Sequence, residues 1–166
     1  MRTLIAAAAL LAMLGRAFAD DGCDKFAWPL AHERTLLAAP DKPALKAGDT
    51  LPALPQSAFT LALQPAAEAR FEMPPERKPR GERWFGGMVR LPAPDKAGIY
   101  QVALSEEAWI DVVQDGRYAR SVGTSGRSDC PGLRKSVRFE VTATSIVLQV
   151  SGVTSEAISV VVGPSR

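Results

Sequence analysis

Hydrophobic residues occupy every second position through most of residues 98–163, in short runs separated by turn-forming residues. Tyr100, Val102 and Leu104 share one parity, as do Ile110 and Val112. The runs Val137-Phe139-Val141, Ile146-Leu148-Val150 and Ile158-Val160-Val162 follow in the same way. Period two turns successive side chains to opposite faces, so each run predicts a strand with one aliphatic face turned to a core. Asp115-Gly116 lies between two runs and predicts a hairpin turn, because its glycine accepts positive φ. Upstream, Phe59, Leu61 and Leu63 alternate with Thr60 and Ala62. A further strand spans Trp84 to Leu91 with Phe85, Val89 and Leu91 on one side, and its Gly86-Gly87 predicts a bulge or a close backbone approach. Adding a weak strand over Arg117 to Val122 gives about eight strands, the number of a jelly roll or related two-sheet sandwich. The expected fold is all-β: an antiparallel, jelly-roll-like sandwich over 59–166, forming one structural unit with the segment 20–58.

That segment has a different pattern. Trp28 to Ala38 predicts a short helix, with Pro29 near its start and Leu30, Glu33, Arg34 and Leu37 on one side. Pro40 and Pro43 end it, and ten of the chain's 13 prolines fall within 40–94, which forces extended segments and turns there. Within this region 74–83 (PPERKPRGER) reads as a charged, proline-broken loop.

The first nineteen residues carry the pattern of a secretory leader: Arg2, an apolar core from Leu4 to Leu14, and Ala17-Phe18-Ala19 ahead of a cleavage point between Ala19 and Asp20. The apolar core is too short to span a bilayer, so no transmembrane segment is expected after cleavage, and a periplasmic or secreted location is. Losing the leader changes the charge. Arg2 and Arg16 leave with it, so the 20 Lys and Arg fall to 18 against 18 Asp and Glu. A formally neutral mature chain argues against a nucleic-acid partner. The only cysteines, Cys23 and Cys130, are expected to pair in an oxidising compartment.

From Ala97 to Pro164 the chain resembles the pre-peptidase C-terminal type of secreted β-sandwich. The resemblance rests on Gly98-Ile99-Tyr100-Gln101-Val102-Ala103-Leu104, on Trp109-Ile110-Asp111-Val112-Val113, and on Leu148-Gln149-Val150-Ser151-Gly152 with the aliphatic strand after it. It implies a non-catalytic accessory or matrix-binding module.

Candidate chemistry is sparse. His32 is the only histidine, which removes two-histidine iron sites and multi-histidine zinc sites within one chain. Jelly rolls also house cupin dioxygenases, including the homogentisate-cleaving kind, and this chain lacks their iron ligands. No metal or cofactor motif occurs. Ser125 sits in Gly-Thr-Ser-Gly rather than a nucleophile elbow, and residues 123–129 read as turns. The chain has no asparagine, which excludes a Cys-His-Asn triad. A small hydrolase would have to rely on Ser125 or on carboxylates among Glu106, Glu107, Asp111 and Asp115.

Parity nominates a binding face instead. With Ile110, Val112, Val137 and Phe139 inward, Trp109, Asp111 and Arg138 point outward, with Arg134 further along the same run. An aromatic plate beside Arg and Asp suits a polysaccharide or an envelope protein. The competing expectation pairs Asp111 with Arg138 across strands and covers Trp109 with the proline-rich 40–58 segment. A third reading is an envelope-assembly protein that lends an edge strand to its partner.

Overall fold

The computed structural model describes residues 22–166; the leader and its cleavage point lie outside the described residues. One helix, α1 (Ala31–Ala38), precedes eleven strands: β1 (Ala44–Lys46), β2 (Phe59–Ala62), β3 (Gln64–Pro65), β4 (Phe85–Leu91), β5 (Gly98–Leu104), β6 (Trp109–Gln114), β7 (Arg117–Tyr118), β8 (Ser121–Gly126), β9 (Lys135–Val141), β10 (Ile146–Val153) and β11 (Ala157–Pro164). They form a six-stranded sheet in the order β1-β2-β11-β5-β9-β8 and a five-stranded sheet in the order β3-β4-β10-β6-β7. The pairings are antiparallel except β1 with β2. The fold is all-β.

The aliphatic parities converge as the periodicity requires. Phe59, Leu61, Val89, Tyr100, Val102, Ile110, Val112, Phe139, Leu148, Val160 and their run-mates form one buried cluster between the sheets. Each fully buried Val, Leu, Ile or Phe contributes about 1.5–3 kcal/mol. Both glycines of β4 mark close approaches. A Cβ on Gly86 would meet the Phe71 and Trp84 rings and the Val150 carbonyl at 2.9 Å, and one on Gly87 would lie 2.8 Å from Ala47 Cβ. The register shift falls in the partner strand β10, between Val150 and Val153, where Gly152 has φ 74°.

Three expectations differ from what is found. The weak strand over 117–122 is two strands in different sheets. Asp115 (φ 50°) and Gly116 (φ 69°) turn the chain tightly into β7, which ends at Tyr118, and the chain then crosses to the other sheet as β8. Residues 123–126, expected as turns, complete β8 against β9. An edge strand with two largely solvated faces has no need of hydrophobic alternation, which is why its sequence looks like loop. The helix begins at Ala31 rather than Trp28, because the Trp28 ring is packed over Gly123 and under the Arg138 guanidinium.

Each sheet is also covered on its outer face. The N-terminal segment lies on the six-stranded sheet through a second cluster of Cys23, Phe26, Leu30, Leu37, Ala58, Ala103, Cys130, Leu133 and Val161. The expected Cys23–Cys130 disulfide is formed and fastens this cover over a separation of 107 residues. The other cover is the stretch between β3 and β4. No helix among the described residues is long and apolar enough to cross a membrane.

Candidate functional site

Trp109 opens β6 on the outer face of the five-stranded sheet, half-buried. Its Nε1 donates to Asp111 Oδ1 at 2.7 Å, and Asp111 Oδ2 accepts from the Glu76 backbone N–H at 3.3 Å. Asp111 is only 2% exposed. The expected outward-facing ligand contact is therefore a buried bracket that fixes the indole from below and the 66–84 loop from above. Loss of hydration on burial holds its carboxyl above the usual carboxylate range; the hydrogen bonds from Trp109 and Glu76 oppose this, and the Glu76 charge adds to it.

A pH dependence follows. Between the ordinary Asp pKa of about 3.9 and the raised folded value, the folded chain binds a proton that the unfolded chain has lost. Asp111 therefore makes stability fall as pH rises through that window. Urea unfolding of Asp111→Asn across the same window is expected to show a flatter slope than wild type. Equal slopes would contradict this assignment.

The loop is held at further points. Gln149, 1% exposed and paired across the ladder with Asp111, accepts from the Glu72 and Met73 N–H groups at 2.7 and 3.1 Å. Its Nε2 donates to the Met73 carbonyl at 3.0 Å. The Tyr118 hydroxyl donates to the Pro74 carbonyl. Phe71 stacks against Trp84 with ring centroids 6.3 Å apart. So held, the loop brings the Arg77 guanidinium over the Trp109 ring, 5.6 Å from its centroid.

The result is a groove of 290 Å³ at the end of the sandwich, with Arg77, Lys78, Pro79 and Arg80 on one side and Glu107 and Lys135 on the other. Ala108, Trp109, Ser151 and Gly152 complete it. Lys135 Nζ lies 3.1 Å from Glu107 Oε1. That pair is shared with an adjoining depression of 530 Å³ that also takes in Glu106, Arg127, Ser128 and Arg134. Ser151 Oγ is buried in the groove wall without a hydrogen-bond partner among the described residues. Arg77, Lys78 and Arg80 have no carboxylate partner among those residues.

The four nominated residues do not share one face. β6 and β9 belong to different sheets, so Trp109 and Asp111 lie on one outer side and Arg138 on the other. Arg138 donates to Gln101 Oε1 at 2.9 Å and to the Arg166 carbonyl at 3.3 Å, and stacks 4.4 Å from the Trp28 ring centroid. The expected Asp111–Arg138 pair is absent for the same topological reason. Arg134 donates to the Ser128 carbonyl and borders the second depression, so it keeps company with Trp109 through Lys135 and Glu107. The cover over Trp109 comes from the 71–80 region, not from 40–58.

Of the candidate catalytic groups, Glu106, Glu107 and Asp111 lie about the groove, Asp111 beneath Trp109, and the others lie apart from it. Asp115 follows β6 at the end away from Trp109, roughly 20 Å along the strand, and accepts from Thr144 Oγ1. Ser125 Oγ accepts from the Ala27 N–H at 3.0 Å, and His32 is exposed on α1. Among the described residues no three His, Cys, Asp or Glu side chains come together as a metal site. Sequence reasoning missed Gln149, Ser151 and the 77–80 cations. Asp111, Gln149 and Ser151 are outward positions of two central strands, and polar residues there read as an ordinary solvated face, so nothing local announced the cover. Comparison with models of known families, with curated proteins and with solved structures finds no match to this chain.

Proposed function

We propose that this chain is an exported binding module, working in the periplasm or outside the cell after loss of its leader, which holds an anionic ligand in the Trp109 groove without transforming it. One observation carries the reading: a loop anchored by Gln149, Asp111 and Tyr118 sets Arg77, Lys78 and Arg80 beside Trp109, with no carboxylate partner among the described residues. Cations positioned before the ligand arrives lose little freedom on binding. The disulfide favours an oxidising compartment. We read the sandwich as a jelly roll with β8 added at one edge. The orders β2-β11-β5-β9 and β4-β10-β6-β7, traversed as the chain runs, interleave as two Greek keys. The resemblance of 97–164 to pre-peptidase C-terminal modules points to the same accessory role.

Intrinsic fluorescence tests the groove. The mature protein, titrated with sulfate and with a panel of anionic oligosaccharides, is expected to give a saturable change that is lost in Trp109→Phe combined with Arg77→Ala. A saturable change that survives both substitutions would put the ligand elsewhere and overturn the reading.

A further inference from the structure

Resting on that binding role, we infer that the ligand is a carboxylate-bearing polysaccharide laid across the sandwich end, from the 77–80 loop past Lys135 to Arg134. Two depressions of 290 and 530 Å³ meet at the Lys135–Glu107 pair. Their continuity suits an extended ligand with repeated anionic groups. The cations along it are Arg77, Lys78, Arg80, Lys135 and Arg134, against Glu106 and Glu107. In a chain that becomes formally neutral once the leader is gone, this is a local excess of positive charge.

The chemistry of the lining selects among anions. Arginine forks bind carboxylates in the plane of the group. Glu106 and Glu107 can only accept, so they suit sugar hydroxyls lying between the anionic groups of such a polymer. Ser151 Oγ lies in the groove wall, buried and without a hydrogen-bond partner among the described residues. Trp109, held at Nε1 by Asp111 and half-buried beneath Arg77, gives the groove its aromatic side chain, and the part of it left open suits an apolar sugar face.

Other polymers fit less well. An extended acidic peptide gains most by adding to a free sheet edge, but Trp109 and Ser151 already pair with each other between β6 and β10. A lipid surface calls for exposed apolar side chains, and the large exposed ones among the described residues, Ile99 and Val122, lie outside the groove. Single-stranded nucleic acid uses successive stacking platforms, and the groove has one aromatic.

The test is calorimetric titration of the mature protein with oligogalacturonate, oligomannuronate and oligoglucuronate, alongside methyl-esterified oligogalacturonate, poly-glutamate and phosphatidylglycerol vesicles. The Trp109 indole N–H signal is followed in parallel by NMR. At least one free-acid glycan is expected to bind and move that signal. Its affinity is expected to fall about tenfold or more in Lys78→Ala/Arg80→Ala, where two charge-assisted hydrogen bonds are lost. Esterification should weaken it by a similar factor, because it removes the anion. Stronger binding of poly-glutamate or of the vesicles, with movement of the Trp109 signal, would overturn the glycan assignment and leave the groove standing. If no probe moves that signal, the binding-groove reading itself fails.

Discussion

Breaking the Cys23–Cys130 bridge, by reduction or by paired replacement with alanine, is expected to lower the unfolding free energy by up to about 4–5 kcal/mol. The magnitude follows from the separation of 107 residues, which sets how much the bridge restricts the unfolded chain. For a domain of this size the loss corresponds to a fall of about 10–20 °C in Tm. Its place in the structure is as informative as its size. Both cysteines belong to the cluster between the N-terminal segment and the six-stranded sheet, whereas the inter-sheet cluster contains neither. Hydrogen exchange should therefore accelerate first in residues 23–39 and only later in β5, β6 and β10. A Tm within about 2 °C of wild type, with unchanged protection over 23–39, would show that the cover is held by packing alone.

Gln149→Leu is expected to be the most damaging single substitution on the opposite face. The new side chain is close in size but satisfies none of the three backbone groups that Gln149 engages on Glu72 and Met73. Leaving buried backbone groups unpaired costs about 1–3 kcal/mol each. The folded chain escapes part of that cost by releasing the loop into water, so a net loss of about 2–4 kcal/mol is expected. Limited proteolysis should then cut first between residues 66 and 84, and faster there than in wild type. Ligand binding should weaken too, although Gln149 lies outside the groove lining, because Arg77 would no longer be set over Trp109. Unfolding at the wild-type midpoint with no new cleavage would remove Gln149 from its anchoring role.

The inner half of this fold was legible because period two is a physical constraint. Val102, Leu148 and Val160 must alternate with their neighbours if one face is to be dry, and the sequence displays that directly. The disulfide was legible from the cysteine count and the leader. The edges were not. β8 has no dry face of its own, so Gly123 to Gly126 reads as turns until β9 pairs with it. The candidate site was legible only in part, since parity says which residues point outward but not which sheet carries them. Trp109 and Arg138 are both outward, yet the crossing after Tyr118 sends β8 and β9 to the other sheet and separates the two. The groove depends on a 66–84 loop whose course is set by long-range hydrogen bonds to Gln149 and Asp111. No local pattern in PPERKPRGER encodes those partners, and its cations read as an ordinary solvated turn.

On the proposed function, the preset loop and Trp109 together form a site for an acidic glycan. Backbone and indole NMR mapping of the mature protein with saturating oligouronate tests it most directly. Perturbations are predicted over residues 77–80, 106–109, 134–135 and 151–152, with the Trp28 and Arg138 signals unmoved. Perturbations centred on Trp28, Arg138 and α1, with the Trp109 indole unchanged, would contradict it.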